Sequence, residues 1–500
     1  MHPPTRRVPM SMGCRQGTQP EMWVAYNEIS SGPGHRFYEK LNELLREAGF
    51  DCKAEALCAP YYESSNTPGR KSVAPGVYFR MHLIGYFEGI ESERGLEWRC
   101  ADSMSLRRFL GIPVTKRVPD HTTLSKTRQR LPLEVHQEVF SIILGVVDGK
   151  GLLKGRVLGV DSTFLRADAS MKAIVRRDTG ESYKDFIKRL AEEAGVENPT
   201  DEDARRQDRT RKGKTTSNKD WESKTDGEAR VAKLKDGRTR LAYKPEHVVD
   251  LETGVIVAAP VYPADEADTA TIEKSLEEAA GNLKRARGEL DDAAAHGQTG
   301  EVAETEEDPS CETTKVVADK GYNKATVLRA LKDGGYRTYI PERKQAGYRK
   351  WTDKGGKKTA AAFYENRARV RRPRGRALQR KRGEIVERTF AHVCETGGAR
   401  RTRLRGRANV QKRYLLQVAA SNLGVLMRAL FGLGTPRGWA DRARRPNSGP
   451  LFGVSAVLHL WIVSLASCWR RLHRSDILNR HGGIGCYIPT VRLVVSNESA

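Results

Sequence analysis

Two apolar runs end on an acid in the same way: Val160-Asp161 closes Arg156-Val-Leu-Gly-Val-Asp-Ser-Thr163, and Ala318-Asp319 closes Lys315-Val-Val-Ala-Asp-Lys-Gly-Tyr322. Each reads as a buried strand with an acidic tip. Side chains just beyond the strand ends of an open α/β sheet are held rigidly while a ligand can still approach. Two aspartates gathered there repel, and a divalent cation is the usual compensation. Oxygen ligation without cysteine favours Mg²⁺ or Mn²⁺ over Zn²⁺. A third carboxylate completes two metal positions on the order of 4 Å apart, suited to activating one oxygen and stabilising another in phosphoryl transfer.

Glu387, within Arg382-Gly-Glu-Ile-Val-Glu-Arg-Thr-Phe390, is the candidate for that third carboxylate. Its helical neighbours Gly383 and Ala391 leave its face open. Val386, Phe390 and Val393 form the apolar stripe that docks the helix on a sheet. Pattern alone does not choose Glu387 over Glu384, and it leaves Asp168, Asp250 and Asp268 in play. Singly, each has an ordinary alternative: an aspartate after a strand is often a turn-former or helix cap, and a glutamate on a basic helix is often a surface ion pair.

The elements that would position these acids follow from periodicity. Strands are expected over Leu241–Asp250 and Val255–Val261, joined at Leu-Glu-Thr-Gly254 into a hairpin, and over Tyr336–Ile340. Helices are expected over Ile272–Leu290, from about Asn323 to Lys332, from Gly383, and over Val410–Leu430. The order is that of a mixed α/β sheet flanked by helices, occupying 155–432. Within it, 197–230 is highly charged and reads as a mobile insertion or helical excursion, and 291–309 as an acidic linker. Upstream, 73–150 reads as all-α. Its last short helix, after Asp120 or Thr122 as cap, carries Lys126, Arg128 and Arg130, a pattern that fits a helix-turn-helix-like DNA-binding unit. Residues 1–72 show little periodicity, and 437–500 read as a tail.

Composition points to the same partner. The formal charge is +24 over 500 residues, a surplus that speaks of a polyanion rather than of a fold. Between Arg367 and Arg413 there are 17 Lys/Arg against Glu384, Glu387 and Glu395 alone. Arg388, Arg400, Arg401, Arg405, Lys412 and Arg413 belong to this run. Such density suits a duplex backbone, where each neutralised phosphate releases counterions. The eight cysteines form no CxxC pair, and Arg6-Arg7 precede no apolar signal region, so a reducing, cytoplasmic setting at the nucleoid is expected. Leu451–Trp469 is nearly charge-free, but Gly, Ser and His dilute it and no second span accompanies it; a packed helix or tail is expected rather than a membrane segment.

As an ordered set, Gly159-Val-Asp-Ser-Thr163, Val317-Ala-Asp-Lys-Gly-Tyr322 and Ile385-Val-Glu-Arg-Thr-Phe390 resemble the three catalytic blocks of bacterial insertion-sequence DDE transposases. The separations fit, with 158 positions from Asp161 to Asp319 and 68 from Asp319 to Glu387. Arg405-Gly-Arg-Ala-Asn-Val-Gln-Lys-Arg-Tyr414 with Asn422-Leu-Gly424 resembles that group's tail, and 73–150 its helical N-terminal domain; the likeness covers roughly 73–437. It implies a ribonuclease-H-like catalytic fold, two Mg²⁺ ions with Mn²⁺ as an alternative, and a homodimer or larger assembly on paired transposon ends. Asp161, Asp319 and Glu387 would hold the metal. Water would first cut the element's end, and the freed 3′-hydroxyl would then attack target DNA. One departure is Cys394, which stands where many relatives have a DNA-contacting Lys or Arg two turns after the glutamate; Arg388, Arg400 and Arg401 are the replacements to consider. A hydrolytic nuclease of the same fold and a non-catalytic DNA-binding relic or repressor are the competing readings.

Overall fold

The computed structural model describes residues 34–62, 72–210, 217–234, 236–289, 313–343, 351 and 356–443. The acidic linker 291–309 and the apolar segment Leu451–Trp469 lie outside the described residues.

The helical part begins earlier than periodicity suggests. Within 1–72, which reads from sequence as a poorly structured segment, stand α1 (Arg36–Glu47) and α2 (Phe50–Cys58). Phe37, Leu41, Leu44 and Leu45 recur at helical spacing and are all buried, but the Pro- and Gly-rich flanks hide so short a period. Gly49 joins the two helices at φ 64°, a left-handed conformation that favours glycine. Arg80 of α3 (Pro75–Glu88) fixes α2 through two parallel bonds to Asp51, at 3.0 and 2.8 Å. Next come α4 (Glu93–Asp102), α5 (Met104–Leu110), α6 (His121–Arg130) and α7 (Leu133–Gly149). Side-chain caps set three of these starts: Ser92, Ser103 and Asp120 accept from the backbone N–H of Gly95, Leu106 and Thr123.

The sheet follows. It comprises β1 (Val157–Ser162), β2 (Leu165–Arg166), β5 (Arg230–Lys233), β6 (Thr239–Asp250), β7 (Ile256–Ala258), β8 (Val261–Pro263), β9 (Lys315–Ala318) and β10 (Arg337–Tyr339), with a backbone order β10-β9-β1-β6-β2. β1 runs parallel to β9 and antiparallel to β6, so the sheet is mixed as expected. The expected strand Val255–Val261 is split into β7 and β8. Pro260 lies between them and has no N–H for a ladder. Between β2 and β5 the chain makes a folded excursion: β3 (Ile174–Arg176) pairs with β4 (Trp221–Ser223), and α8 (Tyr183–Glu193) packs with α9 (Asp201–Thr210) around Ile187, Ala191 and Ala204. The charged stretch 197–230 is thus partly helix and strand.

Helices cover both faces. Residues paired across β1 and β6 share a face. His247, opposite Asp161, touches Thr389 of α13 (Pro373–Ala391), whereas Glu246, opposite Ser162, accepts from Thr271 of α10 (Asp268–Ala286). The remaining helices are α11 (Ala325–Asp333), α12 (Gly356–Arg371), α14 (Arg407–Phe431) and α15 (Pro436–Ala443); a π-helical turn, His392–Thr396, follows α13. α14 packs on α3 and α7 as well as on β8, and one continuous apolar core runs through helical part and sheet. The stretch Arg407–Trp439 is long and apolar enough to cross a membrane, but most of it is buried in this core.

Candidate active site

Asp161 is the last residue but one of β1 and Asp319 directly follows β9; the parallel register pairs Val160 with Ala318, the residues just before the two acids. Glu387 reaches the same cleft from α13, and Ser162, Lys244, Asp268, Gly321, Arg343 and Arg382 line it as well. All three acids singled out by sequence are therefore brought together. Glu384 is not: it is 67% exposed and pairs with Arg388 one turn on, at 2.6 Å. Asp250 accepts from the backbone N–H of Lys154, Gly155 and Glu252, a loop-shaping role. Asp168 pairs with Arg401 and Arg405. Asp268, which the sequence left open, is in the cleft.

The approach of α13 to the sheet has identifiable causes. A Cβ on Gly159 would lie 2.5 Å from Leu251 Cδ2 and 3.0 Å from Val386 Cγ2, so only glycine lets the helix sit this close to β1. Gln379 Nε2 donates to the carbonyls of Ala318 and Tyr339 at 3.1 and 2.6 Å, fastening α13 to the ends of β9 and β10. His247 lies between Thr389 Oγ1 (3.0 Å) and Tyr414 Oη (2.8 Å) and stacks on Phe390 at 4.0 Å, joining β6, α13 and α14 just beyond Glu387. The sequence does carry a signal for these supports: Lys244, Glu246 and His247 stand close together in the buried part of β6. Hydrophobic periodicity alone does not reveal it.

Electrostatics mark Asp161. Arg382 Nη1 meets its Oδ2 at 2.8 Å, and the Ser162 N–H donates to Oδ1 at 2.8 Å. Burial nonetheless pushes its carboxyl above the usual range, with Asp319 adding to the rise while Arg382 and the Ser162 N–H oppose it. A buried acid held up by loss of water and by a neighbouring acid is stabilised in its charged form by added positive charge. Asp319 Oδ1 accepts from the Gly321 N–H at 2.5 Å. A Cβ on Gly321 would stand 2.7 Å from that same oxygen and 2.6 Å from Asp268 Oδ2, so the glycine leaves a cradle between two carboxylates. The donor set is all oxygen and anionic, which fits a hard divalent cation in kind. Among the described residues no three acids, histidines or cysteines converge on one point; here the Arg382 guanidinium is what neutralises Asp161.

The basic residues divide. Lys126, Arg130, Arg388, Arg400, Arg401 and Arg405 are exposed. Arg128 is buried against Glu93, and Lys412 is buried with its Nζ on the Arg128 carbonyl. Arg413 is half-buried, and burial lowers its guanidinium to about 10. Arg128 and Lys412 thus tie α6 to α14 and face the interior, a packing role in place of the expected DNA contact, and Arg413 donates to the Ile90 carbonyl between α3 and α4. Cys394 is buried in the π-helical turn, where burial pushes its thiol up to about 11. Exposed arginines that the sequence did not single out, Arg372, Arg374, Arg376 and Arg380, cluster on the first half of α13.

Comparison with known families gives two matches. The family described as Transposase DDE domain matches residues 154–423, more than half the chain, and the one described as Transposase domain (DUF772) matches 25–130. No curated protein matches. Among solved structures, the piggyBac transposase synaptic complex with hairpin DNA, determined by cryo-EM, is similar at 10% identity over 83% of this chain and 86% of that one, with a TM-score of 0.23.

Proposed function

Because the chain belongs to the transposase DDE domain family, whose members act on DNA with divalent metal ions, we propose that Asp161, Asp319 and Glu387 are its catalytic carboxylates. The observation that carries this reading is their arrival in one cleft from β1, β9 and α13, although 158 and 68 positions separate them in sequence. We propose two Mg²⁺ ions as the cofactor, with Mn²⁺ as an alternative; such a pair would activate the attacking oxygen and stabilise charge on the leaving one. Asp161 and Asp319 would ligate from strand ends and Glu387 from the helix, and the sheet would keep their spacing fixed through both chemical steps. In the first step water attacks a phosphodiester at the element's end. In the second the freed 3′-hydroxyl attacks target DNA.

Double-stranded DNA would run over the exposed arginines of α13, whose phosphate contacts position the duplex without reading sequence. Lys126 and Arg130 are the proposed contacts from α6. Arg388, Arg400, Arg401 and Arg405 are further proposed contacts, with Arg388, Arg400 or Arg401 taking the place of the contact that Cys394 cannot make. We further propose a homodimer or larger assembly on paired ends, working in the cytoplasm at the nucleoid.

The test is to incubate purified protein with Mg²⁺ and a duplex carrying its own element's end, beside Asp161→Asn, Asp319→Asn and Glu387→Gln. Wild type is expected to nick and join, and all three variants to bind without cutting. Cutting without joining would favour a hydrolytic nuclease. Binding without cutting in either Mg²⁺ or Mn²⁺ would favour a non-catalytic repressor. A variant that still cuts would show that its carboxylate is misassigned.

A further inference from the structure

Asp268 opens α10 and lines the cleft of Asp161, Asp319 and Glu387, yet its two oxygens are held unequally. Oδ1 accepts from Ser162 Oγ at 3.1 Å and pairs with Lys244 Nζ at 3.2 Å. Lys244 is 3% exposed and also donates to the Glu266 carbonyl, so its charge is fixed on that side of the carboxylate. Oδ2 faces the Gly321 cradle, which Asp319 Oδ1 borders from the other side. Two of the cations lining the cleft are engaged elsewhere, Arg382 with Asp161 Oδ2 and Arg343 with the carbonyls of Lys320 and Gly321, while Lys324 at its rim is exposed. Two carboxylate oxygens aimed at one small gap repel unless a cation or a proton lies between them.

We propose that Asp268 is a fourth carboxylate of the catalytic site, its Oδ2 serving with Asp319 as ligand to one divalent cation while Ser162 and Lys244 hold Oδ1 in place. The inference rests on the metal-dependent reading given above. It explains why the Asp319-Lys-Gly321 turn requires glycine, and why a lysine is buried in β6 next to the cleft. The ordinary alternative is that Asp268 only neutralises Lys244 and favours the positive end of its helix.

The two roles separate in a direct metal titration. Mn²⁺ binding to the full-length protein is followed by electron paramagnetic resonance without DNA, with thermal unfolding as a check of the fold and end cleavage in parallel. Asp268→Asn is expected to weaken Mn²⁺ binding at least tenfold, and Asp319→Asn is expected to do the same. Because that variant strands a buried lysine, Asp268→Asn combined with Lys244→Met is the second arm. If Asp268 is a ligand, the folded double variant stays at least tenfold weaker. If Asp268 merely neutralises Lys244, the double variant regains wild-type Mn²⁺ affinity, and the proposal is overturned; wild-type affinity in Asp268→Asn alone overturns it too. A wild type that binds Mn²⁺ through these residues but never cuts would sink the transposition chemistry and leave Asp268 as a ligand.

Discussion

His247 lies opposite Asp161 and carries no charge: burial drives its imidazole down to about 3, and burial likewise takes His136 to about 4. Below the ordinary histidine range the unfolded chain binds a proton that the native chain refuses, so each histidine withdraws stability as pH falls from about 6.5. At pH 5 the loss is about 2 kcal/mol per histidine, at 1.36 kcal/mol per unit. Glu278 works in the opposite sense. Burial raises it to about 7, so its neutral form supports the fold fully below pH 4.5, and that support is lost as pH rises to about 7. His247→Gln isolates one contribution. Denaturant unfolding at pH 7 and pH 5 should show the variant losing about 2 kcal/mol less than wild type across that interval; identical losses would mean that His247 already titrates in the native protein. At this scale the sequence was most legible in the acids and least in their supports. Asp161, Asp319 and Glu387 stood at strand and helix positions that pattern can find. Arg382, Gln379 and His247 act through contacts between elements that only tertiary packing brings together.

Two glycines, Gly159 on β1 and Gly383 on α13, contrast in how closely their surroundings approach. At Gly159 a methyl group would press on Leu251 and Val386, both fully buried. Forcing it in is expected to cost about 1–3 kcal/mol and to push the helix, with Glu387, off the sheet. At Gly383, on the same helix, nothing lies within 4 Å of a Cβ. Gly383→Ala should stabilise by up to about 1 kcal/mol through helix propensity. Thermal unfolding and end cleavage measured on both variants test this. Gly159→Ala should melt earlier and cut more slowly while still binding DNA; unchanged cleavage would mean that the helix tolerates the shift. The same helix shows why element boundaries were only partly readable. Its start was expected at Gly383, where the apolar stripe begins, but Pro373 at the first turn starts it ten residues earlier. That first half has arginines and Gly375 in place of an apolar period, and a Cβ on Gly375 would lie 2.2 Å from the Arg369 carbonyl in the last turn of α12, which leaves room only for glycine.

For the molecule as a whole, charge and architecture divide the work. The +24 surplus was plain from composition, but which cations face outward was not, since burial removes Arg128 and Lys412 from any surface. Changing Arg372, Arg374, Arg376 and Arg380 together to Gln should flatten the salt dependence of DNA binding, with the logarithmic slope falling by about 0.9 for each phosphate that is no longer neutralised. A slope equal to that of wild type would move the duplex off this face. The mixed sheet with flanking helices was legible because strand and helix periods alternate in order. The joining of the helical part to the sheet was not, because α14 lies more than 250 positions after α7 and nothing local announces that they pack together.

That long-range packing sets a timetable for synthesis. Until α14 leaves the ribosome, the apolar sides of α3 and α7 that it covers have no partner from their own chain. At roughly 5–20 residues per second, the wait from the end of α7 to the end of α14 is roughly a quarter of a minute to a minute. Through that interval the nascent chain carries α3 and α7 unfinished, and a chain stopped before α14 would present them permanently to chaperones and proteases.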